Sequence, residues 1–239
     1  MLIAHISDLH FGTYLKKESK KLLQKELKNL SPQIIVVSGD LTSDGYREEF
    51  EEAFKFIKTL PAQKYIVVPG NHDAKNVGYI HFEEFFTSRS KLLSFDGITL
   101  YGVDSSEPDL NEGRLGREVY PQIYKNFSLP AKFKIFILHH HLIPIPGTGR
   151  ERNILIDAGD ILTILMQQQV NLALCGHKHV PHLWRLENLY IMNAGTATSF
   201  RYRGKNPNSY NLIEIKEGRC NLYQKNLGKS PVKLRSFSI

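Results

Sequence analysis

The sequence predicts an α/β fold: a largely parallel sheet, with antiparallel strands added in its last third. Three observations carry this. Short apolar runs rich in β-branched and aromatic residues recur up to residue 175. Helical repeats lie between several of them, and strand–helix alternation favours parallel pairing. After residue 180 the helical repeats stop and period-two alternation takes over.

In chain order, LIAHI (2–6), IIVV (34–37), YIVV (65–68), ITLYGV (98–103), KIFIL (134–138) and LALC (172–175) read as strands. The stretch 16–30 repeats Leu22, Leu23, Leu27 and Leu30 with lysines outside, and 48–60 repeats Phe50, Ala53, Phe54 and Ile57; both read as helices. The Phe-rich 81–88 and the stretch 157–168 are further helix candidates. HLWRLENLYIMN, SYNLIEI and RCNLYQ alternate as hairpin strands. No internal repeat, low-complexity tract or linker interrupts the pattern, so 1–239 reads as a single domain.

Composition narrows the class. At 41% hydrophobic and 23% charged, the chain has the make-up of a soluble globular protein. No apolar run approaches the ~20 residues that span a bilayer, and MLIAHISDLHFG has neither a basic n-region nor a small-residue cleavage site. Two cysteines cannot build a disulfide framework, so a cytoplasmic location is expected. Cys175 lies in an apolar run and reads as a buried small hydrophobe. The net charge of +7 sits at the C-terminal end: residues 179–239 hold ten Lys/Arg against three Asp/Glu, which leaves 21 and 21 elsewhere. Such a face can attract phosphate-rich partners or can simply be solvated.

The residues at the end of each strand are more informative. Ser7-Asp8-Leu9-His10 comes after the first, Ser38-Gly39-Asp40 after the second and Pro69-Gly70-Asn71-His72-Asp73 after the third. His139-His140-His141 comes after KIFIL, and Gly176-His177-Lys178-His179 after LALC. Ligands bind outside the carboxyl ends of strands in α/β sheets, and glycine there lets backbones approach closely. Five sets of nitrogen and oxygen donors at one sheet edge suit a metal site. D-x-H and H-x-H spacing sends two donors the same way from an extended segment. A carboxylate can bridge two cations, which then clamp the oxygens of an in-line displacement. His5, His81 and His182 read as ordinary core or surface histidines.

With these motifs in view, DLH (8–10), GD (39–40), GNHD (70–73), the histidine run and GHKH (176–179) resemble the calcineurin-like metallophosphoesterases. ISDLHFG, SGDLT and PGNHD are most similar to their class III cyclic-nucleotide phosphodiesterase branch. The resemblance implies a four-layer α/β/β/α sandwich with mixed sheets, antiparallel C-terminal strands and a dinuclear centre of Mn²⁺, Fe²⁺/Fe³⁺ or Zn²⁺. It implies that Asp8, His10 and His179 hold one metal, that Asn71, His177 and one histidine of the triplet hold the other, and that Asp40 bridges them. Two divalent cations less Asp8, Asp40 and a bridging hydroxide leave one positive charge, which favours a phosphate anion.

The triplet departs from the family's usual His-His-Pro or His-x-Pro. Strand alternation puts His139 and His141 on one face and His140 on the other, and spacing alone does not choose between them. Family alignment selects His139 and leaves His140 near the phosphate or holding the loop.

The expected function is hydrolysis of phosphate esters, diesters such as cyclic nucleotides first, by a metal-bound hydroxide. His72 would assist the leaving group as general acid or as a cationic stabiliser, with Asp73 orienting it or capping a turn. Arg150, Arg152 and His140 are the substrate-contact candidates, with Arg201 and Arg203 behind them. The partner is a small-molecule phosphate ester, a nucleotide included; no membrane partner is expected. Alternatives in view are a nucleic-acid-processing nuclease, a broad phosphomonoesterase and a non-catalytic module. The complete ligand set counts against the module. GNH in place of GNR counts against a lipid-pathway pyrophosphatase.

Overall fold

The computed structural model describes residues 1–149 and 153–239. In chain order its elements are β1 (Leu2–Ile6), α1 (Lys17–Leu30), β2 (Ile34–Ser38), α2 (Arg47–Lys58), β3 (Lys64–Val68), α3 (Gly78–Phe86), β4 (Lys91–Phe95) and β5 (Ile98–Gly102). They continue as α4 (Tyr120–Phe127), β6 (Phe133–Ile137), α5 (Ala158–Gln167), β7 (Leu172–Cys175), β8 (His182–Leu186), β9 (Leu189–Asn193), β10 (Ser209–Lys216), β11 (Arg219–Asn226) and β12 (Val232–Ser238).

The strands form two six-stranded sheets, ordered β12-β11-β10-β1-β2-β3 and β4-β5-β6-β7-β9-β8. Three cores hold four layers together. Leu23 and Leu27 of α1 and Phe50, Ala53 and Ile57 of α2 pack on Ala4, Ile6, Ile35 and Val37 of the first sheet. Ile3, Val36 and Ile66 meet Ile135, Leu172 and Met192 between the sheets. Ile123 and Phe127 of α4 and Ile161 and Leu165 of α5 cover Phe136, Ala173 and Ile191. The central strands therefore bury both faces, which is why they read as continuous apolar runs. The result is an α/β/β/α sandwich.

Parallel pairing holds for β1-β2-β3 and for β5-β6-β7. The tail corrects one expectation: β9 pairs antiparallel with β8 but parallel with β7, and so sits inside the second sheet. Three elements have no counterpart among the expected ones. Edge strands β4 and β12 are largely exposed and lack the apolar pattern, and α4 carries Pro121 in its first turn. Among the described residues no helix is long and apolar enough to cross a membrane. Cys175 and Cys220 are buried free thiols.

Both sheets present strand ends at one edge, where they are tied together. Asp8 N–H donates to Gly39 O (3.0 Å) and His10 N–H to Asp40 O (2.9 Å), joining the loops after β1 and β2. His177 N–H, after β7, donates to Asp8 Oδ2 at 3.1 Å across the gap between the sheets.

Candidate metal centre

The donors after β1, β2, β3, β6 and β7 converge in this edge. Asp8, His10, Asp40 and His179 place one ligand atom each within 4.8 Å of one another, all buried. His10 Nε2 lies 3.0 Å from His179 Nε2 and 3.6 Å from Asp40 Oδ2. Asp8 Oδ1 is 3.0 Å from His179 Nε2 but makes no hydrogen bond with usable angles. Lone pairs that point at a common space rather than at one another are what a cation needs, and this donor set of two carboxylates and two imidazoles suits a divalent ion.

A second set adjoins it through Asp40. Asp40 Oδ1 is 3.4 Å from His139 Nε2. Asn71 Oδ1 is 3.2 Å from His139 Nε2 and 2.9 Å from His177 Nδ1. Asn71 Nδ2 donates to Asn111 Oδ1 at 3.2 Å, which turns the amide oxygen toward the two rings. His139 Nδ1–H donates to Ser38 O (2.7 Å), which turns Nε2 inward. His179 Nδ1–H likewise donates to the Arg201 carbonyl at 2.5 Å.

Backbone geometry marks the same residues. Asp8, His10, Asp40, His177 and His179 all have positive φ, from 51° to 76°. Each such non-glycine residue costs roughly 1–3 kcal/mol, and strain of this kind gathers at functional sites. Gly70 shows how tight the packing is: a Cβ there would lie 2.3 Å from Asp40 Oδ1 and 2.9 Å from His139 Cδ2.

Electrostatics follow burial. Burial opposes ionisation of Asp40, but His139, His72 and His10 outweigh it and hold the carboxyl well below its ordinary range. Burial drives His10 and His177 well below theirs. His139 and His179 go the other way: burial is overcome at His139 by Asp40, Asp8 and the Ser38 carbonyl, which raise the ring to about 9, and at His179 by Asp8, the Arg201 carbonyl and Asp40, which raise it too.

The triplet separates cleanly. His139 enters the donor set. His140 Nδ1 pairs with Ser105 Oγ at 2.8 Å and its Nε2 with Asn111 O at 3.3 Å, so neither ring nitrogen is left for a substrate. The substrate-contact expectation for His140 is therefore corrected to a loop-holding place. His141 stacks on His177, centroids 5.6 Å apart, and its Nδ1 has no partner among the described residues.

At the leaving-group side one expectation is narrowed to its turn-capping alternative and one changes. Asp73 does not touch the His72 ring. It accepts from Leu41 N, Gly70 N, Thr42 N and Thr42 Oγ1 at 2.7–3.0 Å, which ties the loop after β2 to the loop after β3. His72 itself lies beside the donor set, its N–H on Asp40 Oδ1 at 2.9 Å. Its Nδ1 is hydrogen-bonded to Ser43 O, and Arg201 Nη1 donates to its Nε2 at 2.9 Å. That leaves Nε2 as an acceptor. Burial, aided by Lys75 and Arg201, lowers its pKa against the pull of Asp40. The positive charge at this edge sits on Arg201 rather than on the imidazole.

Asp40, Asn71, His72, Asn111, Asn153, His177, His179 and residues 201–203 line a cleft of about 350 Å³. Arg150 and Arg152 lie outside the described residues. Arg203 Nη1 donates to Thr148 O at 3.2 Å. Asn111 and Tyr14, under the Arg201 guanidinium at 4.6 Å, had no signal in the sequence: both sit in irregular loops with no motif around them. His5 is a buried core histidine with both ring nitrogens bonded, His81 is half-buried on α3 and His182 packs on Trp184.

Comparison with known proteins agrees with this geometry. A family model described as calcineurin-like phosphoesterase matches residues 1–181. The chain is similar to a probable cyclic nucleotide phosphodiesterase of Xenorhabdus bovienii, 24% identical over 237 residues, covering 91% of this chain and 92% of that one. It is 28% identical over 197 residues to a probable glycerophosphodiester phosphodiesterase of Arcobacter nitrofigilis, covering 75% and 72%. Its fold superposes on a purple acid phosphatase from yellow lupin with a TM-score of 0.78 at 13% identity, over 99% of this chain and 53% of the phosphatase, about half its length.

Proposed function

The chain belongs to the calcineurin-like phosphoesterase family, and on that premise we propose that it is a phosphodiesterase acting on small phosphodiesters with two divalent cations. The observation that carries this reading is the division of Asp40. Its Oδ2 faces His10 at 3.6 Å, while its Oδ1 faces His139 at 3.4 Å, so one carboxylate serves two donor sets. Asp8, His10, Asp40 and His179 would hold one cation; Asp40, Asn71, His139 and His177 would hold the other. Such a pair supplies Lewis acidity toward phosphoryl oxygens and toward water.

The chain's own residues do the rest. The Ser38 and Arg201 carbonyls and the Asn111 side chain fix the orientation of His139, His179 and Asn71. His72 and Arg201 stand together at the side of the cleft where the leaving group departs. The Arg201 guanidinium there offers charge to developing negative oxygen, and His72 Nε2 holds it in place. Neutral Asn71 in place of a third carboxylate keeps the centre cationic, which favours an anionic diester. Cyclic nucleotides and glycerophosphodiesters are the classes that the two relatives' names suggest.

The test is metal-dependent turnover. Protein stripped with chelator and titrated with Mn²⁺ is expected to bind two ions per chain and to recover hydrolysis of a phosphodiester in step. Full turnover by the stripped protein would overturn the reading.

A further inference from the structure

We propose that the mouth of the cleft carries a second subsite, built by Tyr202, Lys16 and Lys205, that takes the flanking nucleotide of a linear nucleotidic phosphodiester. The proposal rests on the phosphodiesterase reading and names its substrate class.

The segment Phe200-Arg201-Tyr202-Arg203 alternates aromatic and basic residues, and Lys205 comes two residues later. Aromatic faces interleaved with cations are the chemistry that binds single-stranded nucleotides, because bases stack and phosphates pair. Phe200 is 49% exposed and Tyr202 41% exposed, although both are large aromatics. The segment is nevertheless held firmly. Lys16 N–H donates to Thr198 O at 2.7 Å and Phe200 N–H to Tyr14 O at 3.1 Å. Tyr14 meets the Phe200 ring edge-on at 5.9 Å. Lys16 Nζ donates to the Tyr202 hydroxyl at 2.7 Å, and that hydroxyl donates to Asn208 Oδ1 at 3.1 Å. A platform fixed in advance loses little entropy on binding.

Placement gives the platform its meaning. Tyr202 lines the metal cleft together with Asp40 and His72, and it also lines a neighbouring cavity of about 490 Å³. Lys16, Lys205 and Asn206 give that cavity donors, Leu22 and Leu227 give it apolar wall, and Glu18 is its one acid among the described residues. Its size and lining suit a nucleoside with an attached phosphate. A cyclic mononucleotide held by its phosphate at the metal cleft would leave this cavity empty. A base-free diester would leave the aromatics in water. A linear diester uses both.

The probe is the 5′-phosphorylated dinucleotide pApA, with cyclic AMP and glycerophosphoethanolamine as comparators. Binding to the metal-free protein is measured by calorimetry, and kcat/KM with Mn²⁺ added. The expected order is pApA first in both. Tyr202→Ala is expected to weaken pApA binding about tenfold and to lower the pApA-to-glycerophosphoethanolamine selectivity by a similar factor, since stacking on one base is worth about that much. Tyr202→Phe, which keeps the ring, should restore most of both. Lys16→Gln with Lys205→Gln should flatten the salt dependence of pApA binding. Equal affinity of wild type and Tyr202→Ala for pApA, or a preference for cyclic AMP, would overturn the subsite. Tyr202-dependent binding of pApA without hydrolysis of any diester would keep the subsite and remove the phosphodiesterase reading.

Discussion

Asp40 and His139 meet at 3.4 Å, Oδ1 to Nε2, although they follow strands of two different sheets. Asp40 comes just after β2 and His139 just after β6, so this contact joins the halves of the sandwich at the donor cluster. The second oxygen of Asp40 turns to His10. Asp40→Asn keeps the shape but removes one anionic oxygen. It is expected to retain at most one ion per chain after dialysis and to lose turnover by more than the 10–100-fold typical of an outer partner. Metal content and turnover are read together. Two ions held at wild-type affinity would show that Asp40 does not bridge.

The triplet separates in a second experiment. His139→Ala removes an inward-facing nitrogen and is expected to keep about one metal and lose most turnover. His140→Ala should keep both metals. Its cost is structural, because the Ser105 hydroxyl loses its acceptor while still accepting from the residue 140 N–H, and a buried donor left unmade costs roughly 1–3 kcal/mol. Denaturant unfolding measures that loss. A fall in metal content with His140→Ala instead would move the ligand by one residue.

Gly70 packs directly against Asp40. A Cβ at this position would come 2.5 Å from Asp40 N and 2.3 Å from Asp40 Oδ1, and the backbone cannot give way without moving the loop after β2. Gly70→Ala is expected to destabilise the fold by roughly 1–3 kcal/mol, as overpacking does, and to lower metal occupancy. Gly159→Ala is the control, since nothing lies within 4 Å of a Cβ there. Equal unfolding midpoints and metal content in the two variants would show that the close approach at Gly70 is not needed.

How much of the fold and the site was legible depended on the kind of signal. The central strands announced themselves because both faces are buried, so β1, β2, β6 and β7 read as apolar runs. Edge strands β4 and β12, mostly exposed, carried no such pattern. The donors were legible because each follows a strand end in a short motif. Their partners were not. Asn111 reaches Asn71 from a loop 40 residues away in sequence, and Arg201, named only as a substrate-contact candidate, reaches His72 from 129 residues away; no local spacing encodes such contacts. Asp73 carried two readings, partner of His72 or turn cap, and the sequence could not choose between them for a related reason. Adjacency to His72 suggested a partnership, while its four donors come from Gly70 and from the loop after β2, 31 and 32 residues upstream.

Acid stability should depend on a histidine outside the donor set. His5 is fully buried in β1. Asn211 Nδ2 donates to its Nδ1 at 3.2 Å, so its Nε2–H donates to Ser38 Oγ at 2.8 Å, and the ring is neutral. Burial lowers its pKa from 6.5 to about 3, against the pull of Asp8. The folded value lies below the unfolded one. Between them the unfolded chain takes up a proton that the folded chain refuses. Stability from the neutral ring is therefore complete above pH 6.5 and falls as the pH drops toward 3, at about 1.4 kcal/mol per pH unit once the unfolded ring is charged. Urea unfolding of metal-free wild type and His5→Gln at pH 5.5 and pH 4.5, roughly the middle of that window, isolates the effect, because every other titrating group is common to both. Wild type should lose about 1.4 kcal/mol more than the variant over that unit. Parallel losses would mean that His5 accepts a proton in the folded state, and that its Asn211 and Ser38 hydrogen bonds do not hold it neutral.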